Sequence, residues 1–167
     1  DAIRDCRKLT ARRIPESISS IAEKTFRGCS SLTEVTIPNT VTSIGSEAFR
    51  DCSSLTSITL PFVGVSVEDT GNTHFGYIFG ASSSSYHSDY VPTSLKEVII
   101  TGGTSIGNSA FSGCTRLTSI EIPASVTSIG SSAFTGCSSL ESIIIPNSVT
   151  SIGSSAFKDC TSLESIV

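Results

Sequence analysis

No apolar run in the chain approaches the roughly 18 residues that a membrane-spanning helix needs, and the first residues lack the apolar segment of a secretory leader. No membrane insertion of this segment is expected. Charged residues make up only 16% of the chain, and the net charge of −4 is too small to argue for nucleic acid as a partner. The seven Lys and Arg residues among the first 27 are offset by four acids, so no basic patch stands out. There is no C-x-x-C pair and no Cys-His cluster, which removes the usual zinc arrangements. No G-x-S-x-G occurs, no glycine-rich loop opens a long helix, and the two histidines share one short window. A hydrolase using His74 or His87 is therefore disfavoured, and no catalytic residue, cofactor or metal is implied. Asn39, Asn72, Asn108 and Asn147 all fail the glycosylation pattern at the third position.

What the chain has is rhythm. Cys6, Cys29 and Cys52, then Cys114, Cys137 and Cys160, recur at 23-residue spacing within each trio, each followed by x-x-Leu. The apolar columns recur with them. Leu32, Val35 and Ile37 return as Leu55, Ile58 and Leu60, as Leu95, Val98 and Ile100, as Leu117, Ile120 and Ile122, and as Leu140, Ile143 and Ile145. A fixed period of this length marks a stack of rungs that bury a continuous stripe between neighbours, with no single compact core. About a third of the chain is Ser or Thr, so its surface is polar through hydroxyls more than through ions.

Within one rung, L-x-x-I-x-I alternates with the period of two expected for a half-buried strand, and its β-branched residues suit a pleated surface. Pro15, Pro38, Pro61, Pro123 and Pro146 lack an N–H and suit the place where the ladder stops. A second short extended piece follows, as in Val126 to Ile129. Gly45, Gly107, Gly130 and Gly153 come next. Ala22 holds that place in the first full repeat, which points to close packing and away from an obligatory positive φ. The run x-x-Ala-Phe-x-x-Cys predicts one helical turn, with its phenylalanine and cysteine three apart on one face. Phe26, Phe49, Phe111, Phe134 and Phe157 are expected to stack into an aromatic spine, with Phe79 continuing it in the irregular rung. Parallel side chains in stacked rungs hold Cβ atoms beyond the disulfide range, so the cysteines are expected as buried free thiols.

The period fails once. Cys52 and Cys114 are 62 residues apart, which is two periods of 23 plus 16. All three tyrosines (Tyr77, Tyr86, Tyr90), both histidines (His74, His87) and three of the eight phenylalanines fall in the window from Pro61 to Thr93. Insertions in solenoids map to loops on one face and often bind, and tyrosine offers contact area at low entropic cost. A plainer reading stays open, in which these aromatics only staple a Ser-rich loop to the solenoid flank. A metal site built from His74, His87, Glu68, Asp69 and Asp89 has no ligand spacing to support it.

The outward strand positions carry mostly Thr and Ser. Ile99 and Ile144 interrupt that strip and are candidate anchors for a partner, although single exposed aliphatics are common. Glu121, with Glu34, Glu97, Glu141 and Glu164, tilts the strip acidic.

The residues I-P-x-x-V-x-x-I-G-x-x-A-F-x-x-C-x-x-L-x-x-I resemble the BspA-like class of leucine-rich repeats over about six repeats. The resemblance implies a right-handed solenoid of short parallel strands with one-turn helices, spanning residues 1–167 as about seven rungs with an insert at 61–93. Because the chain starts partway through a repeat and stops just after a strand, it is expected to be a fragment of a longer array. The family occurs on bacterial and protist surfaces and is associated with adhesion and host-protein binding. By that resemblance the chain is expected outside the cell, as a non-catalytic module holding a protein or glycan ligand. The alternative is a spacer that presents another domain.

Overall fold

The computed structural model describes residues 6–66, 73–85 and 87–166, and they coil through superimposed turns. Each turn gives one short strand to a principal parallel sheet: β1 (Ala11–Arg13), β3 (Glu34–Thr36), β5 (Ser57–Leu60), β6 (Glu97–Ile100) and β8 (Ser119–Glu121), continued by β10 (Ser142–Ile143) and β12 (Ser165–Ile166). Register follows the repeat, with Val35 beside Ile58, Ile58 beside Val98, and Val98 beside Ile120. These four side chains point into the coil and are buried, while their strand neighbours face outward. Seven strand positions thus enclose six turns of a leucine-rich-repeat solenoid.

The prolines end these strands, and a second row of two-residue strands follows: β2 (Ser20–Ile21), β4 (Ser43–Ile44), β7 (Ser105–Ile106), β9 (Ser128–Ile129) and β11 (Ser151–Ile152). After them the backbone passes under its neighbour. A Cβ on Gly45 would lie 2.4 Å from the Glu23 nitrogen, one on Gly130 2.6 Å from the Asn108 nitrogen, and one on Gly153 2.3 Å from the Ser131 nitrogen. Absence of a side chain is what this column requires; none of these three glycines has a positive φ.

The segment expected to form a helical turn forms a run of tight turns instead. Ala48 N–H donates to the Gly45 carbonyl, Arg50 N–H to Glu47 and Cys52 N–H to Phe49, while the alternate amides reach the adjoining rung, as from Phe26 to Ala48 and from Gly28 to Arg50. The reason lies in two left-handed columns. Lys24, Glu47, Ser109, Ser132 and Ser155 have φ between 52° and 60°, and Gly28, Asp51, Gly113, Gly136 and Asp159 follow with φ between 59° and 75°. A left-handed residue every fourth position cannot propagate a right-handed helix.

Two columns fill the interior behind these turns. Phe26 and Phe49 stack at 5.3 Å, Phe111 and Phe134 at 5.5 Å, and Phe134 and Phe157 at 5.2 Å, all within 8° of parallel. The six cysteines are free thiols. Cys52, Cys137 and Cys160 each donate to the carbonyl of the phenylalanine one rung back, Phe26, Phe111 and Phe134, at 3.1–3.3 Å. Each of these carbonyls also accepts the N–H of the cysteine three residues on, so the thiol adds a second bond from the next rung.

Candidate functional site

The expanded rung leaves the coil after Leu60 and rejoins it before Leu95, and the principal sheet closes across it without a break, Ser57 to Leu60 pairing with Glu97 to Ile100. The second row of strands is interrupted instead. It divides into β2 with β4, and β7 with β9 and β11. At the division Ser43 bridges antiparallel to Ser66, and Ile44 N–H donates to the Val65 carbonyl.

Beyond the break, Phe75–Phe79 and His87–Tyr90 form two short 3-10 helices. The first carries two phenylalanines where an ordinary rung has one. Phe79 keeps the backbone register on one side, since Phe49 N–H donates to the Ile78 carbonyl, the place alanine holds elsewhere. On the other side Phe75 takes over: its N–H donates to Ala110, and its ring lies 5.0 Å from that of Phe111. Phe75 and Phe79 meet edge to face at 5.3 Å. The spine is thus continued by a pair, with Phe75 joining the expected Phe79.

The candidate contact residues of this segment fall in different places. His74 and His87 lie inside, 2% and 0% exposed, their rings 5.3 Å apart. His87 Nδ1 accepts the Gly76 N–H at 3.3 Å. Its Nε2 lies near the backbone of Ser109 and Ser112 without forming a well-aligned hydrogen bond, and both nitrogens of His74 are buried without a partner among the described residues. Burial, helped by the neighbouring His74, holds the His87 imidazole down to about 4, and burial lowers His74 as well. Both are neutral at pH 7 and offer no surface to a ligand. Tyr77 is half-buried, edge-on to His74 at 6.3 Å. Tyr90 is 45% exposed. Tyr86, with Glu68 and Asp69, lies outside the described residues; among those described, no cluster of three or more His, Cys, Asp or Glu side chains is arranged to hold a metal.

The second helix leans over the turn of the next rung, and a cleft of about 630 Å³ opens between them, bordered by Asp89, Val91, Pro92 and Thr93 on one side and Thr115 and Arg116 on the other. Sequence reasoning did not single out Arg116. The signal was present, because every other full rung has serine there: Ser31, Ser54, Ser94, Ser139 and Ser162.

The remaining candidates share the principal sheet. Thr59, Ile99 and Glu121 are in register across β5, β6 and β8. Beyond Glu121 the ladder opens, with β10 pairing only to β12. A second cleft of about 440 Å³ lies at this opening, with Glu121 and Ile122 on one side and Ile143 and Ile144 on the other. Ile144 is 70% exposed, more than Ile18, Ile152 or Ile166, whereas Ile99 is partly covered by its neighbours.

Six copies of the BspA type leucine rich repeat region match residues 1–78 and 82–167. A leucine rich cell surface protein from Faecalibacterium prausnitzii is 31% identical with a TM-score of 0.52, over 93% of this chain and 46% of that one. A leucine-rich repeat protein from Bacteroides ovatus is 28% identical with a TM-score of 0.50, over 95% of this chain and 45% of the other. One from Eubacterium ventriosum shares the fold with a TM-score of 0.55 at 22% identity, over 90% and 42%. The chain therefore spans less than half the length of each of these three structures. No curated protein matches it.

Proposed function

The chain belongs to the BspA-type leucine-rich repeat family, and we propose that it is a non-catalytic recognition module of a cell-surface or secreted protein, holding a protein or glycan ligand. One observation carries the reading: the large side chains that depart from the repeat are exposed, Ile144 lining the second cleft and Tyr90 standing in the chain between Asp89 and Val91, which line the first, while the recurrent apolar columns are packed inside. Packing explains the columns completely and leaves these side chains without a structural task. Aromatic and aliphatic residues of this kind are the usual anchors of an interface. The surface placement is supported by the likeness to a cell surface protein of F. prausnitzii, 31% identical.

The alternative, a spacer, rests on the plain repetition of the rungs. A substitution test separates the two. In the full-length protein displayed on cells, Tyr90→Ser with Ile144→Asp is expected to abolish attachment to cultured epithelial cells and to a printed glycan panel while the chain stays folded. Replacement of the whole array by unrelated repeats of equal length is expected to do the same. Attachment that survives both changes establishes a spacer.

A further inference from the structure

We infer that the cleft between the His87–Tyr90 helix and the turn at 113–117 is a subsite for a sugar bearing a carboxylate, with Arg116 taking the carboxylate and Asp89 taking hydroxyls. This deepens the recognition reading and rests on it only for the setting in which such a sugar is met.

The repeat supplies its own control. Leu95 N–H donates to the Pro92 carbonyl as Leu117 N–H donates to Cys114, so Pro92 stands in the cysteine column and Thr93 and Ser94 follow in the two hydroxyl positions. In that second position the ordinary residue is a serine, and two of these serines reach the rung before, Ser31 Oγ donating to the Arg7 carbonyl at 2.6 Å and Ser94 Oγ to the Leu55 carbonyl at 2.7 Å. Arg116 puts a long exposed cation in place of that serine, in the one rung that the insert overhangs.

In the rungs before the insert, charges on this flank neutralise one another. Glu47 accepts from Arg27 at 2.7 Å and lies 3.5 Å from Arg50, and Asp51 is within 4 Å of both arginines. Asp89 and Arg116 are different: both border the same cleft, both are exposed, and neither forms an ion pair among the described residues. A carboxylate and a guanidinium held on opposite walls, with a gap between them, are complementary to a molecule that carries both an anion and hydroxyl donors. A guanidinium binds a carboxylate in a two-pronged hydrogen-bonded pair.

The rest of the lining selects among such molecules. Thr93 and Thr115 give or accept hydrogen bonds as a sugar ring requires, and Val91 and Pro92 form an apolar wall for its C–H face. At about 630 Å³ the cleft falls within the range of small-ligand sites and holds one or two sugar rings. A peptide terminus would need backbone groups to pair with, and Pro92 removes one of them.

The test is saturation-transfer-difference NMR and calorimetry of the whole chain with glucuronic acid against glucose, repeated for Arg116→Ser and Asp89→Asn. Arg116→Ser installs the residue of the other rungs, so an unchanged melting temperature is expected. The wild type is expected to bind glucuronic acid at least tenfold more tightly than glucose. Arg116→Ser should erase that preference, and Asp89→Asn should weaken both sugars alike. The same sugar presented at the non-reducing end of an immobilised oligosaccharide distinguishes a glycan terminus from a free sugar as the natural source. Equal binding of the two sugars, no effect of Arg116→Ser, or stronger competition by a dipeptide overturns the inference. If attachment through Tyr90 and Ile144 persists while glucuronic acid fails to bind, the cleft assignment falls and the recognition reading stands.

Discussion

Gly76 is pressed against His87: its N–H donates to His87 Nδ1, and a Cβ placed on it would lie 2.5 Å from both the Cβ and the carbonyl oxygen of His87. That contact joins the two short helices of the expanded rung, and no other residue type fits. Gly76→Ala is therefore expected to lift the second helix from the flank while the regular rungs hold. All three tyrosines lie between residues 77 and 90 and the chain has no tryptophan, so tyrosine fluorescence reports on this segment alone. The variant should show altered tyrosine emission at a temperature where far-ultraviolet circular dichroism is unchanged.

The same histidine makes the segment sensitive to acid. Its folded-state value near 4 lies below the ordinary 6.5, so between those two pH values the unfolded chain binds a proton that the folded chain refuses. Stability is level above about pH 6.5, declines as the pH falls toward 4, and levels again below. The loss reaches on the order of 3 kcal/mol for this one imidazole, with His74 adding in the same direction. The carbonyls of Ser109 and Ser112, which favour the charged form, only partly offset burial. Thermal melts of the wild type at pH 7.5 and 4.5 should differ by more than those of His87→Asn, which keeps an acceptor for Gly76 but does not titrate.

His74 buries two ring nitrogens with no partner among the described residues. Each such atom forfeits its bonds to water and gains nothing in return. His74→Phe keeps a ring against His87 and Tyr77 and removes both nitrogens, so urea denaturation at pH 7 should show equal or greater stability, by up to about 2 kcal/mol.

Two glycines that look alike in the sequence should behave differently. At Gly136 the φ is 73° and the space is open, with the nearest atom 3.7 Å from a Cβ. Alanine there carries only the strain of a left-handed residue, about 1 kcal/mol. At Gly153 the φ is ordinary but a Cβ meets the Ser131 nitrogen at 2.3 Å. Gly153→Ala must move backbone, and its loss in urea denaturation should exceed that of Gly136→Ala at least twofold.

Burial first, then the neighbouring cysteine, raises the Cys52 and Cys137 thiols to about 12. Such thiols are nearly all protonated and unreactive at neutral pH. With a disulfide reagent at pH 8, the native chain should modify Cys6 and Cys160, the two that are partly exposed, before the other four. Reaction of all six at one rate in native buffer contradicts the placement of the column.

The rungs were legible because packing acts on every copy: Val35, Ile58, Val98 and Ile120 recur since each lies against the next, and period, strands and spine follow from that. The left-handed columns were harder. Glu47, Ser109 and Ser132 are not residue types that announce a positive φ, so x-x-Ala-Phe-x-x-Cys looked like a helical turn. In the expanded rung no neighbouring copy constrains the reading. Phe75 and Phe79 are four apart, and nothing in their spacing says which one faces Phe111. His74 and His87 sit in a polar stretch and look like surface residues; what buries His87 is its close approach to Gly76, where no side chain fits, and a lone glycine in a sequence does not name the partner it admits. Ile99 and Ile144 stood out because the outward strip is otherwise mostly Thr and Ser, Glu121 came in with the strip's other glutamates, and Arg116 was visible as a departure in the serine column.

The central claim is a division of labour: recurrent side chains hold the coil together, and departures from the repeat meet the ligand. It is tested most directly by comparing Tyr90→Ser/Arg116→Ser/Ile144→Ser with Phe134→Ala. Phe134 is fully buried in the spine, and its truncation is expected to lose about 3–5 kcal/mol. The triple variant should melt within about 2 °C of the wild type, since exposed substitutions away from packing change little, yet lose attachment to epithelial cells and to the glycan panel. A triple variant that attaches normally, or that is destabilised as much as Phe134→Ala, contradicts the account.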